Sequence, residues 1–114
     1  MKLSRGDLVL VDLDPTKGSE QGKRRPGVVI QNNTGNKHSP ITIVAPVTSK
    51  YERLYPVNVE IKASESSLEK DSAVLLNQIR AVSIKHRVEE KIGSLERNKM
   101  EEVDDALEVS LGLK

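Results

Sequence analysis

The chain alternates short β-like runs with polar turns and ends in one segment of helical period. Asp7-Leu8-Val9-Leu10-Val11-Asp12-Leu13 is rich in β-formers and bounded by Gly6 and Asp14-Pro15, which predicts a strand. Gly27 to Gln31 predicts a second, followed by a turn at Asn32-Asn33-Thr34-Gly35-Asn36. Ile41 to Val47 predicts a third, whose end near Val47 follows from Pro46, a residue without a ladder donor. Val57 to Ile61 alternates strictly, as a half-buried strand does. Ser72 to Val82 predicts one longer strand, preceded by a short helical turn at Ser66 to Lys70. Val88 to Leu95 suits either a strand or a helix. From about residue 97 to 111 the period changes. Met100, Val103, Ala106, Leu107, Ser110 and Leu111 recur every three or four residues with acidic residues mostly between them, which predicts an amphipathic helix closing a sheet core. Many short strands and one helix predict a mainly β (α+β) fold, a small curved sheet or barrel capped by helices.

Composition narrows the classes. A chain of 114 residues, 36% hydrophobic and 31% charged, predicts a single domain spanning 1–114 with one modest core. The absence of cysteine excludes disulfides, thiolate zinc sites and thiol nucleophiles. No apolar run has the length of a membrane span and the first residues do not read as a secretory signal, so a cytoplasmic location and no membrane contact are expected. The net charge of +1 conceals an asymmetry. Residues 1–62 carry ten Lys or Arg against six Asp or Glu, whereas residues 63–114 carry eight against eleven. A basic half of this kind suits phosphates or acidic partners.

The chemistry concentrates in Thr16-Lys17-Gly18-Ser19-Glu20-Gln21-Gly22-Lys23-Arg24-Arg25-Pro26, a Gly-punctuated polar loop that ends in a basic cluster and leads into a strand. It is not a nucleotide-binding P-loop: three residues rather than four separate Gly18 from Gly22, and no helix follows. His38 has no carboxylate close in sequence and His86 sits between Lys85 and Arg87, so both read as surface residues, and no metal-ligand pattern exists, so no metal or cofactor is expected. What remains is Glu20, Gln21, Arg24, Arg25 and the hydroxyls of Ser19, Thr48 and Ser49. Arginine matches a phosphate bidentately, and its fixed charge stabilises negative charge growing on phosphoryl oxygens. A hydroxyl adds a donor, and a carboxylate can take a proton.

Several ordered segments resemble the MazF/PemK family of toxin endoribonucleases over almost the whole chain. They are Arg5-Gly6-Asp7, Gly18-Ser19-Glu20-Gln21-Gly22, Arg25-Pro26, Val44-Ala45-Pro46-Val47-Thr48-Ser49, Asp71-Ser72 with Leu75-Leu76-Asn77-Gln78-Ile79-Arg80, and Val103-Asp104-Asp105-Ala106-Leu107. The resemblance implies a small SH3-like β-barrel with a C-terminal α-helix and short additional helices, assembled as a homodimer. It implies a toxin that cleaves single-stranded RNA at specific sequences without a metal and is inhibited by a cognate antitoxin. By motif position, Arg25 and Thr48 correspond to the family's catalytic pair and Glu20 to its acidic position. Ser19, Gln21, Asn77 and Gln78 match positions lining the RNA groove, and Lys17, Arg24 and Ser49 are expected to bind RNA beside them. The chain departs from the family pattern at Asn77, where Asp or Glu is common, and at Leu95-Glu96-Arg97, which lacks a Ser-Pro helix start. The loop Ser49 to Tyr55, with Lys50, Arg53, Tyr51 and Tyr55, is expected to aid RNA choice by stacking and charge. Two rival readings stand beside the ribonuclease: a non-catalytic toxin of related fold that binds DNA gyrase, and an RNA-binding barrel that does not cut.

Overall fold

The computed structural model describes residues 1–114. Seven strands build one antiparallel sheet: β1 (Asp7–Asp12), β2 (Arg24–Val29), β3 (Ile41–Thr48), β4 (Asn58–Ile61), β5 (Ser72–Leu75), β6 (Arg80–Ser83) and β7 (Val88–Ser94). The helices are α1 (Asn33–His38), α2 (Ile84–Arg87) and α3 (Arg97–Leu111), with a 3₁₀ turn at Ala63–Glu65. The strand order is β4-β5-β3-β2-β1-β7, and β6 also pairs with β3. β3 divides one edge between two partners: Ile41–Val44 pair with β6, and Val47 and Thr48 pair with β5. The outer strands β4 and β7 do not pair with each other, so the expected barrel is in fact an open sheet.

Two-residue alternation gives each face of the sheet its own core. Leu8, Val28, Ala45 and Val47 join Val59, Ile61, Val74 and Leu76 on one side, where Val103 and Ala106 of α3 cover them. Val9, Val11, Val29 and Val44 join Val82 and Val88 on the other, with Leu3 and Leu13. α3 spans the residues its period predicts and ends at Gly112, whose φ of 71° lets the Leu113 N–H reach the Glu108 carbonyl at 2.8 Å.

Four local readings are corrected. The Asn32–Asn36 turn is the start of α1, with Asn32 as N-cap accepting from the Gly35 N–H. The long strand from Ser72 to Val82 breaks into β5 and β6 around a turn closed by Gln78 N–H to Leu75 O at 3.1 Å. No Gly or Pro announces that turn. The helical turn lies at Ala63–Glu65 rather than 66–70, because Asp71 accepts from the Ala63 N–H and Lys62 from the Ser66 hydroxyl. β2 begins at Arg24 because its ladder with β1 runs back to Asp12.

Candidate active site

The site lies where β2 and β3 part company. Their ladder pairs Val29 with Val44, Val28 with Ala45 and Gly27 with Pro46. Before Gly27, β2 stays bonded to β1, with Arg25 opposite Val11 and Arg24 opposite Asp12. Beyond Pro46, β3 runs on against β5, with Thr48 opposite Ala73. Pro26 lacks the N–H that the next hydrogen-bonded β2–β3 pair would need, so the ladder ends here, while the nitrogen of Pro46 faces the other edge of β3, where the partner changes from β6 to β5. By strand alternation Arg25 shares the face of Gly27 and Val29, and Thr48 the face of Pro46 and Val44, on the two diverging strand ends. Gly27 lies between them and Val29 on that face, and a Cβ there would meet Val11 Cγ1 at 3.1 Å.

Arg25 and Thr48 line one cleft of about 720 Å³, together with Gln21, Lys23, Arg24, Ser49 and Lys50 from the same strand ends and Ser67 to Lys70 from the loop before β5. Five basic side chains line it (Lys23, Arg24, Arg25, Lys50 and Lys70) against a single carboxylate, Glu69. Arg25 Nε donates to the Gly22 carbonyl at 2.7 Å, while its two terminal nitrogens have no protein partner. That tether fixes the guanidinium plane and leaves a two-pronged donor. Thr48 is buried, and its Oγ1 accepts from the Lys50 N–H at 3.1 Å. The Arg24 guanidinium is instead held by both carboxylate oxygens of Glu89, whose hydrogen bonds and charge raise its pKa above the usual arginine value.

A second cleft of about 560 Å³ adjoins the first through Gln21 and is lined by Ser19, Glu20, Asn77, Gln78, Ile79, Arg80 and Pro15. The expected site residues therefore divide. Arg25, Thr48, Gln21, Arg24 and Ser49 gather in the first cleft, and Glu20, Ser19, Gln21, Asn77 and Gln78 in the second. Lys17 lines neither; its N–H donates to the Glu20 carboxylate at 2.8 Å, turning that carboxylate onto the loop's own backbone. The residues missed by sequence reasoning are Ser67 to Lys70, which carry no motif and reach the cleft only through tertiary packing. Tyr51 donates to Glu60 Oε2 at 2.8 Å, and burial, with that bond and the Glu60 charge, pushes its pKa up to about 12. Tyr55 stays exposed, with the Arg53 guanidinium 5.9 Å from its ring centre. Both histidines are exposed, and nowhere do three or more metal-ligating side chains converge.

Residues 4–111 match the model of the PemK-like, MazF-like toxins of type II toxin–antitoxin systems. The chain is 50% identical to Endoribonuclease MazF of Staphylococcus saprophyticus over 112 residues, 97% of this chain and 92% of that protein. A crystal structure of MazF from Deinococcus radiodurans superposes with a TM-score of 0.83 at 26% identity, covering 98% of each chain. A MazE–MazF structure from the same organism gives 0.78 at 26% identity, covering 100% of this chain and 99% of the other. These likenesses and the fold define the class, a small sheet-based toxin. The chain belongs to the PemK-like, MazF-like toxin family.

Proposed function

We propose that this protein is the toxin of a type II toxin–antitoxin pair and a sequence-specific, metal-independent endoribonuclease that cuts single-stranded RNA. The observation that carries the reading is the meeting of Arg25, with its two terminal nitrogens unpartnered, and Thr48 in one basic cleft. The 50% identical relative carries the name endoribonuclease, which speaks against the gyrase-binding alternative.

In the reaction, the ribose 2′-oxygen forms a bond to the adjacent phosphorus as the bond to the 5′-oxygen breaks. The 2′-hydroxyl proton passes to a base, the 5′-oxygen takes up a proton, and the products are a 2′,3′-cyclic phosphate and a 5′-hydroxyl end. The substrate supplies its own nucleophile, which accounts for preference for RNA over DNA. Arg25 stabilises the charge developing on the phosphorane oxygens, and Thr48 donates to a non-bridging oxygen. A base role for Glu20 calls for the loop tip to close over the phosphate, because its carboxylate otherwise faces Lys17 N–H. Ser19, Gln21, Ser49 and Asn77 contact the chain beside the scissile bond, with charge from Lys17 and Arg24. The working unit is a single domain over 1–114 that acts in the cytoplasm as a homodimer. Its inhibitor is a cognate antitoxin with an acidic, partly disordered segment complementary to the cleft.

The test incubates purified protein with a long RNA in chelator and maps the ends. Cuts at a repeated sequence with 5′-hydroxyl ends support the enzyme. Intact RNA with stalled gyrase, or RNA retained uncut, refutes it.

A further inference from the structure

We infer that Gln78 is a positioning residue: its side-chain amide is a strut that holds the tip of the β1–β2 loop, and with it Glu20 and Gln21, beside the cleft. The inference rests on the ribonuclease reading and assigns to Gln78 a task other than direct contact with RNA.

The loop from Asp14 to Lys23 contains no Leu, Ile, Val or aromatic residue, and apart from Thr16, Gln21 and Gly22 its residues are exposed. Apolar packing therefore cannot fix it; hydrogen bonds must. Its base is well tied. Leu13 N–H donates to the Lys23 carbonyl at 3.0 Å, Lys23 N–H to Asp14 Oδ1 at 2.7 Å, and Arg80 Nη1 to the Leu13 carbonyl at 2.7 Å. Arg25 Nε holds the Gly22 carbonyl at 2.7 Å, and the tip itself, Lys17 to Gln21, is tied from outside the loop by one side chain. Gln78 Oε1 accepts from the Gln21 N–H at 2.7 Å, and its Nε2 donates to the Ser19 carbonyl at 3.4 Å.

Those two partners fix the amide's orientation, since a backbone N–H requires an oxygen and a carbonyl requires an N–H. A primary amide satisfies both at once; a carboxylate supplies only the acceptor and an ammonium only the donor. Both Gln78 groups thus face the protein, whereas the neighbouring Asn77 amide is exposed and makes no hydrogen bond, leaving it free for a base edge. The tight β5–β6 turn is what brings Gln78 to Ser19 and Gln21, 59 and 57 residues away in sequence.

The experiment compares wild type, Gln78→Ala and Gln78→Glu in two assays. Limited trypsin digestion without RNA reads loop opening at Lys17. Gln78→Ala is expected to be cut there roughly tenfold faster, as loss of about one net hydrogen bond allows, at an unchanged thermal midpoint. Gln78→Glu, which keeps the shorter bond, falls between the two. In RNA cleavage, Gln78→Ala raises KM roughly tenfold with kcat and the cut sequence little changed, because the loop must be ordered on binding. Wild-type protection of Lys17 in Gln78→Ala would overturn the strut, and so would a changed cut sequence with protection intact, the signature of a base reader. The trypsin arm needs no RNA, so it judges the strut even if the chain cuts none.

Discussion

Arg25 offers the sharpest perturbation of the site. Its Nε is engaged by the Gly22 carbonyl at 2.7 Å, so the side chain has two separable tasks: tethering Gly22 and presenting its terminal nitrogens to the cleft. Losing one preorganised donor to a developing oxyanion costs roughly 100- to 1,000-fold in kcat, about 2.7–4 kcal/mol. Arg25→Ala removes both prongs and the charge, so a loss of about 1,000-fold or more is expected. Arg25→Lys keeps the charge but not the bidentate geometry, and should retain more activity, about 100-fold below wild type. Arg25→Gln can still donate to Gly22 but has no charge, and should resemble Arg25→Ala. Folding is affected little: Arg25 is only half-buried, and replacing one hydrogen bond with water changes stability by about 1 kcal/mol. The assay is single-turnover cleavage of an end-labelled RNA at saturating protein, alongside thermal melting. An Arg25→Ala protein that cuts at the same sites within tenfold of the wild-type rate would refute the assignment. So would full activity in Arg25→Gln, which would reduce Arg25 to a tether.

Three other outcomes are expected. Thr48→Val should lower kcat by roughly 100-fold while Thr48→Ser stays near wild type, because the hydroxyl rather than the methyl is the group proposed to donate to a phosphate oxygen; equal rates for both variants in the same assay would count against it. Tyr51 holds its proton up to about pH 12 in the fold against 10.0 unfolded, so its contribution to stability is present below pH 10 and is lost as pH rises towards 12. Melting curves across that window should show a decline in wild type that Tyr51→Phe lacks. Leu76→Ala, beneath α3 in a fully buried position, should cost about 2–5 kcal/mol by urea unfolding, enough to unfold a marginal domain.

Local readings succeeded where one period dominates a segment. The α3 stripe from Met100 to Leu111 fixes both helix type and extent, and the apolar runs at Asp7 and Ile41 mark strands, whereas Val88 to Leu95, which suits either state by sequence, is strand β7 in the fold. They failed where a decision depends on partners distant in sequence. The break between β5 and β6 falls inside a run that looks continuous, because β5 ends where its pairing with β4 and β3 ends and β6 begins on another stretch of β3. Asn32 looks like a turn residue but is the N-cap of α1, because the side-chain acceptor that makes turns also caps helices.

The same division applies to the site. Arg25, Thr48 and the Gly18–Gly22 loop were legible from residue chemistry and motif order. That Ser67 to Lys70 complete the cleft, and that Glu20 lies beside it rather than in it, were not. The sequence by itself determined the strand-rich class, the terminal helix and which side chains are candidates to meet a phosphate, since those depend on period and side-chain type within a few residues. Only the tertiary structure decided that β3 runs on against β5 after its ladder with β2 has ended, opening the cleft, and that Gln78 bonds the loop tip at Ser19 and Gln21. Both depend on hydrogen-bond partners chosen across more than twenty residues of chain, and no local pattern records that choice.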